Sequence, residues 1–403
     1  MQKIRNITFT LVVGIVLCLC LGNGALRAAL YGPDAMMESY LEGRFYQTMP
    51  SLDSNAFAMH EMQDETEQYL ADLVPRRDSV LIANATMQRM FIEASNVPFS
   101  YEVYPSFYGS DYLCCPDQGS VLEWPISKRM ATPQLVDKSA NLVAKAVTAN
   151  DAITWQFALV DRSRISLANP ANALVSDPAD YKYYLQEFAP RLPKSCRFIN
   201  LGITDSDEYF AKYFHTDHHW QITGALDAYG KISDGFGRKT IEFGDLKLSY
   251  VGPFYGSEAR SGLVDTYSDV VYDVESGFKG LDVEIDGETK DISCLNAGFS
   301  DKDGEYEPTD RFGNAYRDLF HIDCAELHIV NKGGKGTLLI IGDSFTNNFD
   351  YLYAATYRHV YVVDPRRCDY TLATFLKEHR VNDAVFVLAS NTLLSNEMMR
   401  FLG

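Results

Sequence analysis

The C-terminal segment from residue 337 places the strongest constraint on the fold. Continuous apolar runs at residues 337–341, 359–363 and 384–388 have the length and residue types of buried strands. Between them, residues 349–356 and 371–379 carry apolar side chains at helical spacing. This alternation predicts a βαβαβ unit, and such units form parallel sheets with right-handed crossovers. The sequence therefore predicts an α/β fold, in which ligands bind outside the carboxyl ends of the strands.

Polar side chains follow each of these predicted strands. Ser344 lies in the sequence Gly-Asp-Ser-Phe after the first strand, Asp364 and Arg366 follow the second, and Asn391 follows the third. A serine between a buried strand and a helix is exposed at the edge of the sheet, where backbone N–H groups can stabilise an oxyanion. This position suits a nucleophile. The alternative is that Asp343 or Ser344 only caps the following helix.

A second motif, Asp-His-His-Trp at residues 217–220, precedes a segment whose apolar residues keep helical spacing. Asp217 and His219 are two residues apart, so in an extended loop both side chains project to one side and can meet a distant serine. This pattern predicts His219 as a general base that Asp217 orients. Alternatively, His215, His218 and these two residues satisfy a polar loop or bind a metal. No metal site is predicted, because no further cluster of ligands is evident.

The N-terminus combines basic residues with a long apolar run. Lys3 and Arg5 precede an apolar stretch from residue 7 to about residue 26, and roughly 20 helical residues suffice to span a bilayer. This pattern is typical of an export signal or a membrane anchor, and it favours an uncleaved anchor that crosses the membrane through residues 7–26. The expected organisation is an anchor at residues 1–29, a stalk at 30–60 and one domain at 61–403, interrupted by a β-rich insertion at about 236–330.

Charge excludes one class of partner. The chain has 54 acidic and 36 basic residues, a net charge of −18, and no basic run that could follow a phosphate backbone. No nucleic acid is therefore expected as a partner. Of the 8 cysteines, those outside the apolar run could form disulfides in an exported protein, but sequence cannot choose among the pairings.

Several motifs together resemble a known family. The Asp-His-His-Trp and Gly-Asp-Ser-Phe motifs, the tail at residues 357–366, and the short sequences at 75–78 and 109–113 are similar to those of the DHHW protein family. That family looks like a branch of the AlgX/AlgJ-type polysaccharide O-acetylation proteins. The resemblance implies an SGNH-hydrolase-like fold, a flavodoxin-like parallel sheet between helices.

The resemblance also implies roles for particular residues. The catalytic residues of the family fall on Asp217, His219 and Ser344. His218 occupies a place where the alginate enzymes usually have a small polar residue. The remaining candidates for oxyanion or substrate contacts are Asn347, Asn348, Asn391 and Arg366.

These observations lead to a functional hypothesis. Ser344 takes an acetyl group as an acyl-enzyme and passes it to a sugar hydroxyl of a cell-surface or exported polysaccharide. The resemblance implies a multi-spanning, MBOAT-type membrane acyltransferase as the acetyl supplier, an extracytoplasmic catalytic domain on a single-pass anchor, and no cofactor. The alternatives are a carbohydrate acetylesterase and a non-catalytic, membrane-tethered protein that binds or assembles glycans.

Overall fold

The computed structural model describes residues 2–32, 38–39, 41, 44–49, 61–94, 102–105, 111–239, 241, 247–264, 266–274, 280–295, 316, 319–320 and 324–403. Much of the predicted stalk at residues 30–60 lies outside these residues, and the predicted domain boundaries stay a prediction.

Helices are spread along the whole described chain. They are α1 (Gln2–Tyr31), α2 (Glu61–Asp72), α3 (Arg77–Ala94), α4 (Pro133–Ala149), α5 (Tyr181–Glu187), α6 (Ser206–Lys212), α7 (Ile222–Gly235), α8 (Ser257–Gly262), α9 (Leu372–Glu378), α10 (Ser390–Leu393) and α11 (Asn396–Leu402). Two short 3₁₀ helices near the C-terminus, Ser344–Thr346 and Asp350–Ala355, are important for the site.

The strands alternate with these helices. They are β1 (Glu38–Ser39), β2 (Arg44–Phe45), β3 (Glu102–Pro105), β4 (Asp111–Cys115), β5 (Ser120–Glu123), β6 (Thr154–Leu159), β7 (Cys196–Asn200), β8 (Leu248–Phe254), β9 (Asp269–Val274), β10 (Asp282–Ile285), β11 (Glu288–Lys290), β12 (Glu326–Val330), β13 (Thr337–Gly342), β14 (His359–Val363) and β15 (Asp383–Leu388).

One large sheet organises the fold. Its 8 strands have the order β11-β10-β12-β14-β13-β15-β6-β7. Neighbours from β14 to β7 pair in parallel, whereas β12, β10 and β11 extend the sheet with antiparallel pairs. The carboxyl ends of β13 and β15 are thus adjacent, at the edge where the sequence placed the polar residues.

Both faces of the central strands are covered, which explains their continuous apolar sequences. Leu338 and Ile340 of β13 pack in one hydrophobic core, while Leu339 and Ile341 pack in the core on the opposite face. Every residue of β13 and of β15 is buried. This two-sided burial positions the end of β13 rigidly, and Ser344 comes two residues after it.

The predicted βαβαβ unit is confirmed, with one correction. Strands β13, β14 and β15 are parallel, and α9 lies between the last two. The predicted helix at residues 349–356 is wrong in type, because the structure has the 3₁₀ helix Asp350–Ala355 there. The residues from Asp350 to Ala354 are all buried. A segment that is buried all round has no solvent-facing side, so helical spacing in its sequence does not identify the type of helix.

The segment predicted as a β-rich insertion contributes strands to two places. Strands β8 and β9 form an antiparallel hairpin, whereas β10, β11 and β12 extend the large sheet. The part with β10, β11 and β12 is therefore continuous with the large sheet, whereas β8 and β9 form a two-stranded sheet of their own.

The N-terminal apolar run forms most of α1. Within this helix, residues Ile7–Tyr31 are long and apolar enough to cross a membrane, a property that anchors and export signals share. Near its end, the side-chain amide of Asn23 donates to the carbonyl of Leu73 at 3.0 Å, and Arg27 donates to the carbonyl of Asp72 at 2.8 Å.

Candidate active site

Ser344 is held by the turn that follows β13. The carboxylate of Asp343 accepts hydrogen bonds from the backbone N–H of Phe345 at 3.3 Å and of Ala389 at 2.9 Å, so the turn is tied to the end of β15. Asp343 caps the 3₁₀ helix, and Ser344 is left free of that task. Gly342 is required by packing, because a Cβ there would lie 2.3 Å from Cγ2 of Thr346.

The three residues predicted to act together form one hydrogen-bonded series. Nε2 of His219 lies 2.7 Å from Oγ of Ser344, and Nδ1 lies 2.6 Å from Oδ1 of Asp217. Asp217 and His219 are buried, whereas Ser344 is partly exposed. An acid, an imidazole and a hydroxyl in this order are the geometry of an activated nucleophile.

The ionisation of Asp217 sets the direction of these hydrogen bonds. Burial raises the pKa of Asp217. The neighbouring His218 and His219 and the hydrogen bonds from His219 and the Ser257 N–H lower the pKa by more than burial raises it, so the net pKa lies well below its ordinary value. Ionised Asp217 only accepts, so His219 donates from Nδ1. Its Nε2 is then the lone-pair acceptor for the Ser344 hydroxyl, as a general base requires.

Residues far along the chain hold the loop that carries Asp217 and His219. Asp269 of β9 accepts from the backbone N–H of His215 at 2.9 Å and from the N–H and hydroxyl of Thr216 at 2.8 and 2.6 Å. The backbone N–H of Ser257 donates to Oδ2 of Asp217 at 2.6 Å. Ser257 and Asp269 were not predicted, because nothing in their local sequence signals these long-range contacts.

Aromatic rings surround the imidazole of His219. Tyr316 stacks on it, with ring centroids 3.5 Å apart and an angle of 10°, and Phe345 lies at 4.8 Å. The hydroxyl of Tyr316 donates to the carbonyl of Ser344 at 3.0 Å. Trp220 packs against Phe345 at 5.3 Å and is buried, so it helps to fix the loop. Tyr316 was not predicted.

His218 occupies a different environment from its neighbour. Its Nδ1 lies 3.0 Å from Oγ of Ser257, and its ring lies 4.0 Å from that of His219. Burial lowers the pKa of His218 well below its ordinary value, and the positive charges of Arg162 and Arg260 add to this effect. His218 is therefore neutral near pH 7.

A buried charged network, not predicted from the sequence, lies near His218. Arg162 makes two hydrogen bonds to Glu123, at 2.5 and 2.7 Å. Ser163 donates to Glu258 at 3.0 Å. Burial and the charges of Glu123 and Asp217 raise the pKa of Glu258 well above its ordinary value. Glu258 is thus a neutral acid, and Arg162 and Glu123 neutralise each other.

The predicted candidates for oxyanion or substrate contacts differ in their position relative to Ser344. Asn347 lines a cavity with Ser344. Asn348 is committed elsewhere, because its Oδ1 lies 2.9 Å from the Tyr316 hydroxyl, whose single proton it shares with the Ser344 carbonyl, and its amide donates to the carbonyl of Trp220 at 3.3 Å. Asn391 is exposed and lies 3.3 Å from Arg162. Arg366 makes a two-pronged ion pair with Asp364, at 2.9 and 2.6 Å.

A metal is the alternative use of the same residues. Within the described residues, Asp217, His218 and His219 are the one group of three whose ligand atoms lie within 4.8 Å of one another. Each is already used in hydrogen bonds: Asp217 with His219 and Ser257, His219 with Ser344, and His218 with Ser257. A metal ligand would need the lone pairs that these bonds occupy, so the residues fit an acid-base series better.

Comparisons with known proteins identify the fold. No protein-family model and no curated protein matches the sequence. Among solved structures, Bacillus cereus PatB1 with a sulfonyl adduct matches with a TM-score of 0.57 and 19% identity over 72% of this chain and 97% of that chain. A DHHW family protein from Eubacterium siraeum matches with a TM-score of 0.52 and 15% identity over 75% of this chain and 94% of that chain. The chain shares its fold with a DHHW family protein.

The predicted resemblance to that family is thus confirmed for the fold, as is the predicted α/β class. The O-acetyltransferase domain of Pseudomonas putida AlgJ matches less well, with a TM-score of 0.38 and 10% identity over 75% of this chain and 98% of that chain. At these identities the likeness to PatB1 and the DHHW family protein concerns architecture, and the chemistry of this chain depends on its own residues.

Proposed function

We propose that this chain is an extracytoplasmic serine acyltransferase that O-acetylates a cell-surface or exported polysaccharide. The observation that carries the proposal is the hydrogen-bonded series from Asp217 through His219 to Ser344, with distances of 2.6 and 2.7 Å. The serine stands at the carboxyl end of a parallel strand, where α/β folds bind their ligands.

The first half-reaction forms the acyl-enzyme. Oγ of Ser344 attacks the carbonyl carbon of an acyl donor while Nε2 of His219 takes the hydroxyl proton. The bond between the acyl carbon and its leaving group then breaks, and His219 returns the proton to that group. Asp217 stabilises the imidazolium throughout.

The second half-reaction transfers the acyl group. A sugar hydroxyl gives its proton to His219 and attacks the acyl carbon, and the bond from that carbon to Oγ of Ser344 breaks as the serine regains a proton. In both halves, negative charge develops on the carbonyl oxygen. None of the described residues accepts a hydrogen bond from the backbone N–H of Ser344, so this N–H is available to stabilise that charge.

The acyl donor and the location follow from the same proposal. An acetyl group outside the cytoplasm needs delivery across the membrane, for which an MBOAT-type multi-spanning acyltransferase is the proposed partner. The apolar part of α1, Ile7–Tyr31, is the proposed anchor that keeps the domain beside it. An acetylesterase would use the same acyl-enzyme with water as the acceptor.

The test combines a covalent probe with a cellular readout. Because PatB1 has been obtained with a sulfonyl adduct, the full chain in detergent is treated with phenylmethylsulfonyl fluoride and its intact mass is measured. We expect one adduct on Ser344, and none in Ser344→Ala. In cells, Ser344→Ala at normal abundance should abolish glycan O-acetylation, and an unchanged level would contradict the proposal. Increased acetylation in the variant would instead favour the esterase.

A further inference from the structure

Tyr316 contacts both the proposed base and the turn that carries the proposed nucleophile. Its ring stacks on the imidazole of His219, with centroids 3.5 Å apart and an angle of 10° between the planes. Its hydroxyl reaches the backbone carbonyl of Ser344 at 3.0 Å. The side chain is buried, and it lies in the segment predicted as a β-rich insertion.

The ring of Tyr316 is held by packing that does not depend on the imidazole. It lies 4.7 Å from the ring of Phe320 and 6.5 Å from that of Phe254 at the end of β8. The buried members of this hydrophobic cluster are Phe214, Phe254, Val271, Tyr316, Leu319 and Phe320. Strand β9 contributes to the cluster and also carries Asp269, which holds the backbone of the His219 loop. A ring supported in this way is fixed over the imidazole before any reaction begins.

The charge that develops on His219 gives this stacking a chemical role. When Nε2 takes the proton of Ser344, the imidazole becomes a cation that lies on the face of the Tyr316 ring. A cation within about 6 Å of an aromatic centroid is attracted by the negative face of the ring, most strongly where water is excluded. His219 is buried. The ring therefore stabilises the charged transition state more than the neutral ground state, as faster reaction requires.

The other groups that face His219 differ from Tyr316. Asp217, at 2.6 Å, supplies the counter-charge of the imidazolium. The ring of His218 lies at 4.0 Å and is tilted by 35°, and that of Phe345 lies at 4.8 Å and is tilted by 47°. Among these three rings, that of Tyr316 is the one parallel to the imidazole, so it covers the flat face over which the positive charge spreads.

The hydroxyl of Tyr316 has a separate effect on the nucleophile. Its single proton is shared between the carbonyl of Ser344 at 3.0 Å and Oδ1 of Asn348 at 2.9 Å. This bond ties the backbone of Ser344 to the side chain that lies on its base, and Oγ is 2.7 Å from Nε2 of His219. A shift of about 1 Å between reacting groups can cost about 10²-fold in rate.

We propose that Tyr316 is a positioning residue for the reaction of Ser344. Its ring stabilises the imidazolium of His219, and its hydroxyl fixes the turn of the serine. This role rests on the proposed function where it takes Ser344 as the nucleophile and His219 as its base, and it holds equally for a transferase and an esterase. It also gives the predicted insertion at about 236–330 a part in the active site.

The assay is the second-order rate of sulfonylation of Ser344 by phenylmethylsulfonyl fluoride, measured on the full chain in detergent across the pH range in which imidazole titrates. In this reaction Oγ bonds to sulfur, the bond from sulfur to fluorine breaks, fluoride leaves, and the proton passes to Nε2 of His219. The rate therefore follows the neutral imidazole and reaches a plateau at higher pH. Tyr316→Phe keeps the ring without the hydroxyl, and Tyr316→Leu removes both.

The two variants should separate the ring from the hydroxyl. We expect Tyr316→Leu to lower the plateau rate about tenfold and to move the half-maximal pH down by about 0.5–1 unit, because the imidazolium has lost the aromatic face. Tyr316→Phe should lower the plateau rate about threefold and leave the half-maximal pH unchanged, as for the loss of one hydrogen bond. Phe320→Leu is the matched control, since it removes a ring that touches Tyr316, and it should keep the half-maximal pH of the wild type.

Several outcomes would overturn this role. A half-maximal pH in Tyr316→Leu that equals or exceeds that of the wild type would refute the action of the ring on the imidazolium. An unchanged plateau rate in Tyr316→Phe would refute the action of the hydroxyl. Thermal unfolding is measured for each variant, and Tyr316→Met, which also lacks a ring, replaces Tyr316→Leu if the latter does not fold. Normal glycan O-acetylation in Ser344→Ala cells would contradict the proposed function while leaving these labelling results intact.

Discussion

The hydrogen bond between ionised Asp217 and His219 gives the sharpest prediction. Asp217→Asn preserves the shape of the side chain but removes its charge. In the carboxylate, one oxygen accepts from His219 and the other from the Ser257 N–H, whereas an asparagine amide has only one accepting oxygen. When His219 takes the serine proton, the resulting imidazolium then has no counter-charge in a buried site.

The distance in the structure sets the size of the effect. At 2.6 Å between Nδ1 and Oδ1, the attraction between two unit charges is about 6 kcal/mol at an effective dielectric constant of about 20. Since each 1.36 kcal/mol changes a rate about tenfold, full loss slows formation of the acyl-enzyme by about 10⁴-fold. We expect a reduction of about 10³- to 10⁴-fold, because rearranged water and amide dipoles restore part of the stabilisation.

The assay is the second-order rate of sulfonylation of Ser344 by phenylmethylsulfonyl fluoride, followed by intact mass. Asp227→Asn is the matched control, since Asp227 on α7 pairs with Lys212 and Lys231 away from the site, and it should react at the wild-type rate. A loss of less than tenfold in a folded Asp217→Asn protein would refute the view that Asp217 acts by charge.

Two further predictions concern stability and packing. Burial raises the pKa of Asp161 from 3.8 to about 8, so the folded state holds an extra proton between these values and stability falls as pH rises through them. Asp161→Asn removes this contribution, so the decrease of the unfolding free energy with rising pH should become shallower by about 1.4 kcal/mol per pH unit between about pH 4 and 8. Urea titration measures this, and an unchanged slope would show that this acid is ionised when folded. Gly256→Ala would place a Cβ 2.2 Å from the carbonyl oxygen of Thr216, so we expect a loss of about 1–3 kcal/mol and slower labelling of Ser344. Gly230→Ala in α7, where nothing lies within 4 Å, should instead stabilise the protein by about 0.5–1 kcal/mol, and equal effects of the two substitutions would contradict the packing argument.

Much of the central sheet could be predicted because its sequence signal is local. Strand β14 was predicted at its observed bounds, and β13 and β15 within one residue of them. Each is a continuous apolar run, which is what two-sided burial requires. The type of the segment Asp350–Ala355 could not be predicted, because the residues from Asp350 to Ala354 are all buried. Apolar residues at helical spacing do not identify the type of helix in such a segment.

The candidate site was predictable only in part. Asp217 and His219 could be predicted to act together, because side chains two residues apart in an extended loop project to the same side. Ser344 could be predicted because it directly follows a buried strand. Ser257, Asp269 and Tyr316 complete the site from separate parts of the chain. Their contribution depends on tertiary contacts that short sequence patterns do not contain. The catalytic roles of Asp217, His219 and Ser344 stay predictions.

The strand order of the large sheet has a consequence for when the candidate site can form during synthesis. Strand β6 pairs with β7 on one side and with β15 on the other, although Thr154 and Asp383 are far apart in the chain. During synthesis, which proceeds from the N-terminus, the early strands emerge without the partner that completes their sheet. The centre of the fold closes only when the last strand arrives, and the same closure fixes Asp343 against Ala389 beside the serine. A chain truncated before β15 therefore lacks both a finished core and the contact that holds the turn carrying Ser344.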